Sequence, residues 1–263
     1  MVDFGSKPIY SVEDLRRIID LLRSPGGCPW DAEQTHGSIR RNLLEEAYEA
    51  AEAIDTGDEA LLKEELGDVL MQVVFHSDIE EKSGNFSLDD VSDGACRKLI
   101  RRHPHVFADA VARDSGEVLA NWDVIKREEK QHTTTSDAMR SVAASLPALW
   151  RAEKVQDKAA KAGFDWPDLS GALEALREEL GEFEAAVASE AGVEEELGDL
   201  LFSAVSAARF LNIDPEQALG AASDKFISRF SRVENAAREQ GSSLGDLPQI
   251  EIENLYRQAK LEG

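Results

Sequence analysis

Apolar residues in this chain recur at three- and four-residue intervals almost from end to end, and that period leaves little room for anything but helix. Leu15, Ile18, Ile19 and Leu22 fall on one stripe, and Leu173, Leu176, Leu180 and Phe183 on another. Val, Ile and Thr nowhere alternate with polar residues long enough to make a half-buried strand. Gly and Pro sit between the periodic runs, in SPGG at 24–27, SGN at 83–85, HPH at 103–105 and DLP at 246–248. The expected fold class is all-α.

The helical pattern occurs twice. Trp30 in GGCPWD answers to Trp166 in AGFDWP, and LLEEAYEA (43–50) to REELGEFEA (177–185). EELGD recurs at 64–68 and 195–199, and KLIRR (98–102) is matched by KFISR (225–229). The landmarks keep their order while their spacing shrinks steadily, as in a tandem duplication whose second copy has slightly shorter loops. The polar stretch QHTTTSD (131–137) is the expected linker. It separates two helical bundle domains, 1–132 and 133–263.

Each copy carries acids in a pattern that helix geometry brings together. Glu46 and Glu49 are three apart and share a face, with Glu45 completing EExxE. DTGD at 55–58 reads as a turn, after which Glu65 and Asp68 share a face of the next helix. An antiparallel pair of such helices draws four carboxylates to one place. Taken alone, EExxE is most simply a solvated face. Three features argue otherwise. Asp68 and Asp199 open helices apolar nearly all round (VLMQVVF, LLFSAV), so burial is expected. Gly67 and Gly198 interrupt helices, each at about 1 kcal/mol relative to Ala, which suggests a close approach of backbone or ligand. The whole set is repeated. A divalent cation turns the mutual repulsion of such acids into binding, and all-oxygen ligands favour magnesium or manganese over zinc or copper. A di-iron bundle would use paired ExxH motifs; Glu33–His36 and Glu129–His132 match, but both lie outside the repeated block.

Among 263 residues, 52 acids face 29 bases, for a net charge of −23. That balance opposes a broad grip on nucleic acid or an anionic membrane. It leaves room for small phosphorylated ligands held by local bases, and each copy has such a pair on one helix face: Lys98 with Arg102, and Lys225 with Arg229. These could also simply offset acids. Neither GxxxxGK[ST] nor GxGxxG occurs. Trp122 and Tyr256 each precede a lysine by four residues, in positions suited to core packing or to stacking on a base. Two cysteines, Cys28 and Cys96, without a leader-like N-terminus, fit a reducing cytoplasm. No apolar run approaches the ~18 residues of a membrane span.

At these residues the sequence resembles the MazG family of nucleoside triphosphate pyrophosphohydrolases, in its two-copy form. The resemblance rests on GGCPWD (26–31), LLEEAYE (43–49), EELGDVLMQVVFH (64–76) and RRHPHVFAD (101–109). In the second half it rests on GFDW (163–166), EELGE (178–182), EEELGDLLF (194–202) and KFISRF (225–230). It implies a dimeric, all-α, magnesium-dependent enzyme with manganese a possible substitute. Ribo- and deoxynucleoside triphosphates would be cleaved between the α and β phosphates, to monophosphate and pyrophosphate, in housecleaning of the nucleotide pool. The family's metal ligands fall on Glu46, Glu49, Glu65 and Asp68, and on Glu179, Glu182, Glu196 and Asp199. Its nucleotide contacts fall on Lys225 and Arg229, with Lys98 and Arg102 equivalent. A family aromatic, usually Trp, falls on Tyr256. Glu45 and Glu178, next to the ligands Glu46 and Glu179, are the candidate bases, and two-copy relatives suggest the second half carries most of the turnover. The competing expectation is a helical dimer that senses nucleotide or docks a partner without cleaving.

Overall fold

In the computed structural model residues 4–130 and 134–261 are described. Among them every regular element is a helix, as the period predicts. The chain divides into two compact units, Met1–Lys126 and Arg127–Gly263. The boundary expected between residues 132 and 133 lies outside the described residues.

Unit 1 is organised around an antiparallel pair, α3 (His36–Thr56) and α4 (Glu59–Lys82). α1 (Val12–Arg23) packs on α4, with the short α2 (Pro29–Glu33) beside it. α5 (Leu88–Arg102) and α6 (Pro104–Phe107) follow, and α7 (Ser115–Lys130) crosses the division between units. Local chemistry sets these ends. Ser11 with Asp14, Thr35 with Ser38 and Ser87 with Asp90 form reciprocal caps on α1, α3 and α5, each worth about 1 kcal/mol. DTGD is the turn it resembles. α3 ends at Thr56, Gly57 takes φ 68°, and Asp58 accepts from the Ala60 and Leu61 amides to start α4. The core joins Ile19, Ile39, Val74 and Phe75, with Leu15, Leu22, Met71, Ile79 and Leu88 against them. Burying a side chain of that size stabilises by about 1.5–3 kcal/mol. Arg23 closes one end: its guanidinium lies 4.6 Å from the Phe75 ring centre and its Nε donates to Asp78 Oδ2 at 2.7 Å.

Unit 2 repeats the pair as α10 (Leu169–Ser189) and α11 (Val193–Phe210), with α9 (Ala148–Lys161) packed on α11. Gln156 of α9 donates to the Phe202 carbonyl at 2.8 Å. α12 (Pro215–Glu239) and α13 (Gln249–Leu261) hold the unit's core cluster of Val233, Leu255 and Ala259, joined by Tyr256 and Leu247. α8 (Thr135–Arg140) precedes them, and it corrects the linker expectation where the chain is described. Thr134 and Asp137 of the stretch form a capping box and residues 135–140 are helical. A Thr/Ser/Asp run was read as linker because the side chains that cap a helix are the ones that also favour loops.

A second correction concerns Asp68 and Asp199. Neither heads its helix: each lies more than a turn inside α4 or α11. Neither is buried, since Asp68 is half-buried and Asp199 exposed. The apolar run overstates burial because part of it faces outward, with Leu66 54% and Leu70 36% exposed in α4 and Leu197 42% and Leu201 48% in α11. The same holds for Leu99 and Ile100 on α5 and for Phe226, Ile227 and Phe230 on α12. Among the described residues no helix is long and apolar enough to cross a membrane.

Candidate functional site

The hairpins place the acids. In unit 1, Glu46 and Glu49 on α3 meet Glu65 on α4, one oxygen from each lying within 4.8 Å of the others. In unit 2, Glu179 of α10 meets Glu196 and Asp199 of α11 within the same limit. The two sets share two matching positions, Glu46 with Glu179 and Glu65 with Glu196; the third member is Glu49 in unit 1 but Asp199, the counterpart of Asp68, in unit 2. The fourth expected member stands just outside each trio. Asp68 acts electrostatically on Glu46 and Glu65, and Glu182 on Glu179 and Glu196.

Glu65 is the buried member, 8% exposed. Its carboxyl is pushed above the ordinary range, first by desolvation and then by the charges of Glu49 and Asp68. Glu46 is raised by desolvation, then by Asp68 and Glu49. In unit 2 desolvation again leads, with Glu182 and Asp199 next, for both Glu179 and Glu196. The leading charged neighbours of all four are acids. Glu49 stands beside both Glu46 and Glu65 and adds to the upward push on each. Acids gathered this closely without bases form a site that a hard divalent cation would stabilise, and the all-carboxylate donor set suits magnesium or manganese. The residues therefore fit the ion.

Gly67 and Gly198 add a finding. A Cβ at either would meet nothing within 4 Å, so no backbone crowds them. The alternative of a close backbone approach falls away, and the helix surface beside each acid trio is bare.

The remaining expected residues fall as follows. Glu45 is exposed and accepts from Arg41 Nε at 2.7 Å, one turn before it on α3. Glu178 is exposed, and its charge adds to the upward push on Glu179. Lys98 and Arg102 lie on α5, which packs on α4, and Lys225 and Arg229 on α12, which touches α11. Arg229 is half-buried and its buried Nε has no partner. Tyr256 is half-buried against Phe226, with centroids 6.0 Å apart, and the Lys260 ammonium is 5.1 Å from its ring centre. Tyr256 thus serves the core on one side. RRHPHVF ends α5 at Arg102 and opens α6 at Pro104, and His103 Nδ1 is 2.6 Å from the Leu99 carbonyl. Of the two ExxH motifs, His132 lies outside the described residues. His36 reaches away from the acids to His76 and Glu80. That trio was missed in the sequence; the only signal was His76 and Glu80 four apart on one helix face. A charged cleft lined by Arg16, Arg17, Asp20, Asp78 and Lys82 is a separate feature, with Arg16 paired to Glu81 at 2.9 Å and Lys82 to Asp78 at 2.8 Å.

Comparison with known proteins places the chain in a family. A profile of the MazG nucleotide pyrophosphohydrolase domain matches twice, at residues 34–107 and 169–233, each span holding one acid hairpin. The chain belongs to this family. It is 44% identical to the nucleoside triphosphate pyrophosphohydrolase/pyrophosphatase MazG of Thermotoga maritima, over 94% of this chain and 95% of that protein. It is 42% identical to the nucleoside triphosphate pyrophosphohydrolase of Escherichia coli K12, over 95% and 97%. It is also 48% identical to the uncharacterized protein YabN of Bacillus subtilis, over 95% of this chain and 52% of that one.

Proposed function

We propose that the chain is a nucleoside triphosphate pyrophosphohydrolase that cleaves ribo- and deoxynucleoside triphosphates between the α and β phosphates, releasing monophosphate and pyrophosphate. One observation carries this reading: in both units three carboxylates from the two helices of the hairpin converge within 4.8 Å, two of the three at matching positions. Full-length relatives named for the activity support it.

Glu46, Glu49, Glu65 and Asp68 would hold the ion in unit 1, and Glu179, Glu182, Glu196 and Asp199 in unit 2. Magnesium, when bound, supplies a Lewis acid that neutralises charge building on the phosphoryl oxygens. Lys225 and Arg229 hold the departing phosphates; the unpartnered Arg229 Nε is a donor ready for a phosphate oxygen. Lys98 and Arg102 take the same part in unit 1. Glu178, beside the ligand Glu179, takes the proton of the attacking water. Glu45, the equivalent in unit 1, must first leave Arg41. Tyr256 offers a ring face to the base, with Lys260 over it. The second unit carries most of the turnover. The uncovered apolar side chains Phe226, Ile227 and Phe230 suit a homodimer. The free thiols Cys28 and Cys96 suit a reducing cytoplasm.

Product analysis tests the proposal. The purified protein is incubated with each nucleoside triphosphate, with magnesium and with chelator, and nucleotides are separated by ion exchange. Monophosphate and pyrophosphate formed only with metal is the expected result. Diphosphate and phosphate would overturn the assigned bond. Binding without product would make the chain a nucleotide-sensing module instead.

A further inference from the structure

Three side chains tie the start of α3 to α4. His36, the first residue of α3, lies edge to edge with His76 of α4, with ring centres 5.0 Å apart and planes 7° from parallel. The two Nδ1 atoms are 2.7 Å apart. His36 Nε2 is 2.5 Å from Glu80 Oε1, and Asn85 Nδ2 donates to Glu80 Oε2 at 2.6 Å. The hydrogens follow from these contacts. An ionised carboxylate only accepts, so His36 donates from Nε2 to Glu80. Neutral His36 then accepts at Nδ1, and His76 donates from its own Nδ1. His76 Nε2 is left as a buried lone pair with no partner.

The chain Glu80–His36–His76 tolerates one added proton, because a single hydrogen still sits between the two Nδ1 atoms. A second proton places N–H on both, and the contact becomes a repulsion between two cations whose N–H groups point at each other. The charges that α1 and α5 bring to this side of α4 are paired elsewhere. From α1, Arg23 binds Asp78 and Arg16 binds Glu81, and from α5, Asp89 faces Arg16. The Glu80 carboxyl is held low by Asn85 and then His36, so it stays an acceptor. Burial, then the charge of His36, lowers His76 below the ordinary imidazole value of 6.5. Stability from a neutral His76 is therefore present above 6.5 and lost as pH falls below it.

Unit 2 lacks every part of this arrangement. α10 begins with Leu169 where α3 begins with His36. Matching Asp199 to Asp68 puts Ala207 and Leu211 in the places of His76 and Glu80.

We propose that His36, His76 and Glu80 form a proton-sensitive clamp that positions the α3–α4 hairpin of unit 1, closed at neutral pH and released in acid. They are positioning residues: His36 opens the helix that carries Glu46 and Glu49, and His76 and Glu80 lie on the helix that carries Glu65 and Asp68. The clamp stands on its own contacts. Only its consequence, weaker metal binding by unit 1 in acid, rests on the proposed function.

Amide hydrogen exchange on the full chain tests it, at about pH 7.5 and about pH 5, with rates corrected for intrinsic chemistry. Acid should cut protection across residues 39–43 by roughly tenfold or more, while residues 172–176 of α10 change far less. His76→Gln keeps a donor but cannot be protonated there, and should remove the acid step at 39–43; His76→Phe, which keeps a ring but has no donor, should show low protection at both pH values. Unchanged protection in the wild type, or the same acid loss in His76→Gln, would overturn the clamp. Manganese binding is measured in parallel on a chain carrying Glu179→Gln and Asp199→Asn. A chain that binds manganese equally at both pH values while the clamp opens would sever the link to the site. One that never binds it would overturn the metal reading and leave the exchange result standing.

Discussion

The two hairpins hold the same acids but are supported differently. In unit 1, α3 and α4 belong to the main core: Ile39, Val74 and Phe75 come from the hairpin and Ile19 from α1. A buried Arg23–Asp78 pair and the histidine clamp add polar ties. In unit 2 the corresponding cluster sits on α12 and α13, and the hairpin's buried apolar positions are the small Ala172 and Ala186 with Val205 and Ala207. α11 is also shorter, 18 residues against 24 for α4. The duplication has therefore kept a charge arrangement while letting its scaffold diverge. One hairpin is braced by large buried side chains and the other by small ones with polar ties from Gln156 and Arg209, and the hairpin with fewer large apolar contacts is the one better suited to closing on a ligand.

The largest effect to seek is on turnover. Glu179→Gln with Asp199→Asn should lower kcat by on the order of a hundredfold or more, and Glu46→Gln with Asp68→Asn by much less. The reverse outcome, in steady-state assays of both double variants, would make the braced hairpin the working one. Next comes the ion. Glu46, Glu65, Glu179 and Glu196 are raised above 4.5 in the metal-free fold. Their contribution is favourable below that value and is lost as pH rises through the folded values. Magnesium should cancel the loss, so the gap in Tm between magnesium and chelator should widen from about pH 4.5 to about pH 7. Saturation at a hundred times Kd corresponds to about 2.7 kcal/mol. A gap independent of pH would mean that the ion binds elsewhere.

Much of this was legible in the sequence. The hairpin turn was written in DTGD, because Gly supplies the positive φ and Asp the cap. Three of four acids in each half meet as helix spacing requires, since i and i+3 positions share a face whatever the tertiary context. Burial was less legible. Periodicity says that a face is apolar and not what covers it, so Leu70 and Leu201 belong to runs expected to be buried and are exposed. Glu65 read as one acid among four and is the buried one. The clamp was hidden because its contacts join residues 40 and 44 apart in the chain, and no spacing rule links the start of one helix to the body of the next.

Packing offers a smaller and independent probe. Val74 and Val233 are 1% and 2% exposed, one in each unit's core. Replacing either by Ala should cost about 2 kcal/mol. If the units unfold separately, each change should move one calorimetric transition and leave the other in place. A single transition moved by both would show that the units are one cooperative body, and the contrast in bracing would then have no separate energetic meaning.

The smallest effect tests the turns. The last helical turn of α3 gives way to Gly57 at φ 68°, and the equivalent place after α10 is held by Glu190 at φ 55°. A side chain with a Cβ is disfavoured in that left-handed region by roughly 1 kcal/mol, and Gly is not. Glu190→Gly should therefore stabilise unit 2 by up to about 1 kcal/mol, reduced by the entropy that Gly adds to the unfolded chain. Gly57→Ala should destabilise unit 1 by about the same amount; a Cβ there meets nothing within 4 Å, so the cost would be backbone strain alone. Denaturant midpoints of the two variants measure both. If tightening the turn after α10 raises stability and slows turnover together, the looseness of the second hairpin is part of its work; if stability rises and turnover is unchanged, the difference in bracing is drift between copies.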